Sequence, residues 1–143
     1  MKKMVLIILV LLILAACQPG TNAQQAQLAI KCETLYRTST VSSDEPLSTS
    51  SVFELRHDQK KFSETYTDME IMAQYYQDDY EGRSMRVSIS DPVSGRQLAS
   101  FLYQFPLDEQ PVNQFVGGHG FTGLVYIYHP ESPAELQFFC ELQ

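Results

Sequence analysis

The chain has 143 residues, of which 17 are acidic and 10 basic, for a formal net charge of −7. A surplus of that sign excludes nucleic acid as a natural partner, and the length is enough for one domain with one core, not two. Tyr and Phe occur eight times each and Trp is absent; Val, Ile, Thr, Tyr and Phe gather after residue 28, which predicts strands.

Lys2 and Lys3 make a short positive start, and Met4 to Leu14 is unbroken apolar sequence. That run is shorter than the ~18 residues a spanning helix needs, and it is followed by the small residues Ala15 and Ala16, as in a secretory signal. Cys17 comes next. The stretch Leu14-Ala15-Ala16-Cys17 resembles the lipobox of bacterial lipoproteins. The resemblance implies that residues 1–16 are removed, that the Cys17 thiol receives a diacylglyceryl group and that the new amino terminus is acylated, palmitate included. Gln18, a residue other than Asp, implies passage to the outer membrane by the sorting rule of enteric lipoproteins. Several acyl chains on one residue anchor stably where a single chain does not. Without Lys2 and Lys3 the chain carries 8 basic against 17 acidic residues, a net charge of −9.

Residues 17–27 comprise the acylated Cys and a polar stretch without periodicity, a flexible tether; residues 28–143 form the single β domain. Leu28 to Thr38 predicts a strand with Ile30, Cys32, Thr34 and Tyr36 on one face and Lys31, Glu33, Leu35 and Arg37 on the other. Thr38 to Ser51, rich in Ser and Thr, predicts a loop. Val52 to His57 and Phe62 to Tyr66 predict short strands around a polar turn. Met69 to Tyr80 fits both periods: Met69, Ile71, Ala73 and Tyr75 alternate, while Met69, Met72, Ala73, Tyr76 and Tyr80 share a helical face. The β-rich surroundings favour a strand.

Ser84 to Ser90 and Gln97 to Phe105 flank Asp91-Pro92-Val93-Ser94-Gly95-Arg96, the pattern of a hairpin. Pro106 to Gly123, with four glycines from Gly117 onward, predicts a long loop. Leu124 to His129 and Ala134 to Leu142 predict the last two strands, with Leu136, Phe138, Cys140 and Leu142 on one face. Cys32 and Cys140 both point inward, and two cysteines left over in an oxidising compartment predict one disulfide between the first strand and the last. The sum is an all-β fold, a small antiparallel meander of seven or eight strands. A disulfide between terminal strands favours a closed barrel, with a sandwich as the second layout.

Chemistry-bearing patterns are few. Gly117-Gly118-His119-Gly120-Phe121-Thr122-Gly123 has the freedom of a ligand loop but no Walker or dinucleotide pattern. His57, His119 and His129 lack metal-ligand spacing, so neither metal nor cofactor is expected. No Gly-x-Ser-x-Gly elbow occurs, and the chain is expected not to be an enzyme. Tyr75, Tyr76, Asp78, Asp79, Tyr80 and Glu81 form an acidic, tyrosine-rich stretch. With His119 and Phe121 it is the candidate surface for a cationic protein partner, tyrosines anchoring and carboxylates steering.

A lipobox, a β domain of about a hundred residues, an acidic balance and an early-to-late disulfide are together similar in layout to the membrane-bound C-type lysozyme inhibitors. That family's Ser-Gly-x-x-Tyr is replaced here by Ser94-Gly95-Arg96-Gln97-Leu98, and its Trp is missing, so no inhibitory residue carries over. The expected function is a lipid-anchored, non-enzymatic binding module on the periplasmic side of the outer membrane. The alternatives are a barrel holding a small apolar molecule and an envelope hydrolase.

Overall fold

The computed structural model describes residues 28–41, 47–78, 82–106, 111–115 and 117–143, with Asp78 described by its backbone. Cys17, the expected signal and the tether lie outside these, as do Asp79, Tyr80 and Glu81. Eight strands are present: β1 (Ile30–Arg37), β2 (Ser48–Leu55), β3 (Lys61–Thr65), β4 (Glu70–Asp78), β5 (Gly82–Ser90), β6 (Gln97–Phe105), β7 (Val125–Tyr128) and β8 (Glu135–Leu142). They form two antiparallel four-stranded sheets, β2-β1-β8-β7 and β3-β4-β5-β6. We call these the first and second sheet. Among the described residues there is no helix.

The alternation expected for β1 is observed, every second residue from Ile30 to Tyr36 being buried. The inner face of the first sheet carries Ile30, Cys32, Tyr36, Phe53, Leu55, Leu136 and Phe138; that of the second carries Ile71, Ala73, Tyr75, Met85, Val87 and Ile89. The two faces meet through aromatic rings. Phe101 lies edge-on to Phe138 with centroids 5.6 Å apart, and Phe53 stacks on Phe62 at 3.7 Å. Thr34 is buried, and its hydroxyl is satisfied by the Tyr66 hydroxyl at 3.0 Å, which also donates to Glu64 at 2.9 Å. Tyr36 donates to Asp68 at 3.1 Å. These bonds tie the sheets together where β2 and β3 run side by side, and they avoid the cost of an unpaired buried hydroxyl.

Of the two layouts expected, the structure takes the open one: the sheets remain separate and each keeps two edges. The disulfide Cys32–Cys140 is present, but it does not close a barrel. β1 and β8 are neighbours in the centre of the first sheet, with Cys32 directly opposite Cys140. First and last strands can therefore be cross-linked without any closure. The loop expected over Thr38 to Ser51 also ends early. Ser48 to Ser51 pair with Arg37 to Thr34, and this part of an edge strand shows no apolar alternation because it is solvated. Met69 to Tyr80 resolves as strand β4 over Glu70–Asp78.

β7 pairs only with Glu135 to Phe138, leaving the outer half of β8 to the glycine loop. The Phe121 N–H donates to the Cys140 carbonyl at 3.0 Å, and the Cys140 N–H donates to the Thr122 hydroxyl at 2.8 Å. Farther along, the Leu142 N–H donates to Asn113 Oδ1 at 2.8 Å and Asn113 Nδ2 donates to the Leu142 carbonyl at 3.0 Å. The loop's backbone and side chains together replace a strand partner here, which keeps the buried backbone of β8 satisfied.

Candidate functional site

Two surface clefts flank the glycine loop, and both arise from its path along β8. The first crosses the outer face of the first sheet. Register places Glu33 opposite Phe139 and Leu35 opposite Gln137, so their outward side chains form a continuous row. Leu124 and His119 arrive from the loop to complete a cleft of about 330 Å³. Its floor is apolar (Leu35, Leu124, Phe139) and its rim polar (Glu33, Gln137, His119).

The His119 ring stands edge-on to Phe139 with centroids 5.4 Å apart. Its Nδ1 is buried and has no hydrogen-bond partner among the described residues. Lys31 lies between two carboxylates, 2.7 Å from Glu33 and 3.5 Å from Glu141. The hydrogen bond that Lys31 donates to Glu33 is the main cause holding the ammonium in its charged form above its usual pKa. One cation against two anions leaves this group net negative, and Glu33 is its member that lines the cleft.

The second cleft, about 380 Å³, lies between the C-terminal half of β6 and the loop around Pro111 and Val112. Leu102 and Gln104 reach it from one side of the strand, Tyr103 and Phe105 from the other, with Phe121 behind. Phe121 is buried and meets Tyr103 and Phe105 edge-on at 5.6 and 5.1 Å. Burial alone pushes the Tyr103 phenol up to about 12, and the lining holds no acidic or basic side chain.

The structure brings the described parts of the two expected stretches to one end of the sandwich: Gln77 pairs with Arg83, Arg83 with Phe105, and Phe121 packs on Phe105. It does not leave all their members on the surface. Tyr75 is buried among core residues with Ile71 and Ala73, and Phe121 is buried as well. Tyr76 is exposed on the opposite face of β4, and His119 is half-buried at the rim of the outer cleft. Asp78 lies opposite Gly82 at the strand end.

Leu35, Leu102, Val112, Leu124 and Phe139 were not singled out in the sequence. Two of them carried a readable signal: Leu35 is an apolar residue on the Lys31-Glu33-Arg37 face, and Leu102 sits on the polar face of β6. Among the described residues no group of three His, Cys, Asp or Glu side chains is placed to hold a metal.

No family model, curated protein or solved structure matches this chain.

Proposed function

We propose that this protein is a lipid-anchored lipoprotein of the cell envelope that acts as a non-enzymatic binding module for a cationic protein partner. Leu14-Ala15-Ala16-Cys17 supports the anchor, and Gln18 supports the outer membrane, facing the periplasm. The observation that carries the binding reading is the cleft on the outer face of the first sheet, an apolar floor beside a net negative group. A lysine or arginine suits that combination. Its aliphatic stem covers Leu35 and Leu124, while its charge meets Phe139 and the Glu33 side. The overall acidic balance attracts such a partner from a distance.

The anchor is tested by growing cells on labelled palmitate: the chain takes up label and a Cys17→Ser variant does not. Capture from envelope extract with the full chain tests the binding. We expect a basic protein that is retained at low salt, released at high salt, and lost with Leu35→Asp. An unlabelled chain sinks the anchor; capture unchanged by Leu35→Asp sinks the cleft. A second reading, a small apolar molecule on the same floor, is favoured by the apolar side chains of Leu35, Leu124 and Phe139 that line the cleft. Solvent extraction and mass spectrometry of the purified protein would reveal it.

A further inference from the structure

β6 is an edge strand, and it differs from the other three edges. Edges of native sheets are blunted by charge, proline, shortness or a covering element, because a bare edge pairs with other chains. β7 has four residues and is followed closely by Pro130. β3 carries Lys61 and Glu64, and β2 lies against it, with Ser51 donating to Glu64 and Phe53 stacked on Phe62. β6 is less protected: Pro106 lies just past its end, and the loop around Pro111 and Val112 stands off its C-terminal half across the second cleft. Gln97 to Phe105 is nine residues long, without charge or proline, and among the described residues it pairs with β5 alone. Leu102 is 53% exposed, and the inward aromatics Phe101 and Tyr103 are only partly covered.

From this edge we infer that β6 pairs with β6 of a second copy of this chain, antiparallel about Phe101, joining two second sheets into one of eight strands.

Charge selects that occupant. None of the chain's 17 acidic residues lies on β6, and of the two edges without an acidic residue, β6 and the four-residue β7, it is the longer. Two acidic copies can meet there without opposing carboxylates on the paired strands, and an uncharged segment is what it accepts without burying an unpaired charge. The strand is also complementary to itself in size. With Phe101 on the axis, Tyr103 faces Ala99 of the second copy and Leu102 faces Ser100 of the second copy. Large side chains thus meet small ones, and the cleft of about 380 Å³ beside Leu102 to Phe105 receives residues Gln97 to Ser100 of the second copy.

The pairing reverses one copy relative to the other, so the two β1 starts lie at opposite ends. Eleven residues, 17–27, precede Leu28; a contour of up to ~36 Å exceeds the ~26 Å of an eight-residue strand. With Cys17 anchored as proposed above, that length lets both copies reach one membrane surface.

The test is sedimentation of the full chain in density-matched detergent. A concentration-dependent dimer is expected, and Ser100→Lys/Leu102→Lys should weaken it at least tenfold by placing four ammonium groups along the seam. Ser63→Lys on the β3 edge should leave it unchanged. Both seam positions face solvent, and circular dichroism confirms that the variants fold. A second arm needs no charge: in Ser100→Cys/Leu102→Cys each cysteine faces the other across the seam. Mild oxidation should then give a band of twice the mass that reduction removes. A monomer throughout, a dimer indifferent to the lysines, or a cross-link to a protein of another mass would each overturn the inference.

Discussion

Gly120 shows how tightly the loop is seated on β8. Its φ is +59°, and a Cβ there would lie 2.0 Å from the Cys140 carbonyl oxygen and 2.6 Å from Glu141 Cα. Both obstacles are backbone atoms of a central strand, which cannot move aside. Gly117, at φ +96°, has open space where its Cβ would be. Gly117→Ala therefore meets backbone strain alone, about 1–2 kcal/mol. Gly120→Ala adds overpacking of roughly 1–3 kcal/mol and pushes the Phe121 and Thr122 bonds off Cys140. Urea unfolding under oxidising conditions should show the larger loss for Gly120→Ala. Equal losses would mean that the loop can leave β8 freely.

Among the elements, β1 and β8 are held twice, by eight register pairs and by the Cys32–Cys140 bridge. The N–H and carbonyl of Cys140 both turn to the loop, not to β1. The two cysteines thus occupy a non-hydrogen-bonded pair, where strands approach most closely, with Cα atoms 4.0 Å apart. The bridge spans 108 residues, worth about 4–5 kcal/mol in the chain-entropy account. Cys32→Ala/Cys140→Ala should lose about 2–5 kcal/mol in urea melts while keeping its β-sheet circular dichroism, because the ladder between the strands remains. Loss of the fold itself would show that the ladder cannot stand without the bridge.

The strands also differ in how legible the sequence made them. Inward faces of β1, β6 and β8 are plain in the alternation, since burial of one side leaves a period of two. Ser48 to Ser51 are not, since an edge exposed on both sides leaves none. Tyr75 shares its face with Ile71 and Ala73 and so reads as core once Met69 to Tyr80 is taken as a strand. Its assignment to a partner surface ignored that face.

At the scale of the whole molecule, neither the separation into two sheets nor the clefts could be read along the chain. Each depends on which strands become neighbours, and Leu35, His119 and Phe139 meet only after β1, the loop and β8 are in place. The packed interior has a consequence that can be measured globally. Burial is the leading cause that raises the phenol pKa of Tyr36, Tyr66, Tyr75 and Tyr103, the last to about 12 from an ordinary 10.0. Below about pH 10 both folded and unfolded chains hold these protons, and the stabilisation is complete. Above it the unfolded chain releases them while the folded chain keeps them, so stability falls with each further rise in pH until about pH 12. Tyr103 has no hydrogen-bond partner for its hydroxyl among the described residues; burial is the sole cause of its shift. Tyr103→Phe should therefore match the parent near neutral pH, and its advantage should grow from pH 10 upward. Tyr66→Phe loses its bonds to Thr34 and Glu64 and should be weaker already at neutral pH. Thermal unfolding from pH 7 to 12 separates the two, and a Tyr103→Phe curve running parallel to the parent throughout would show that the phenol is not desolvated at the second cleft.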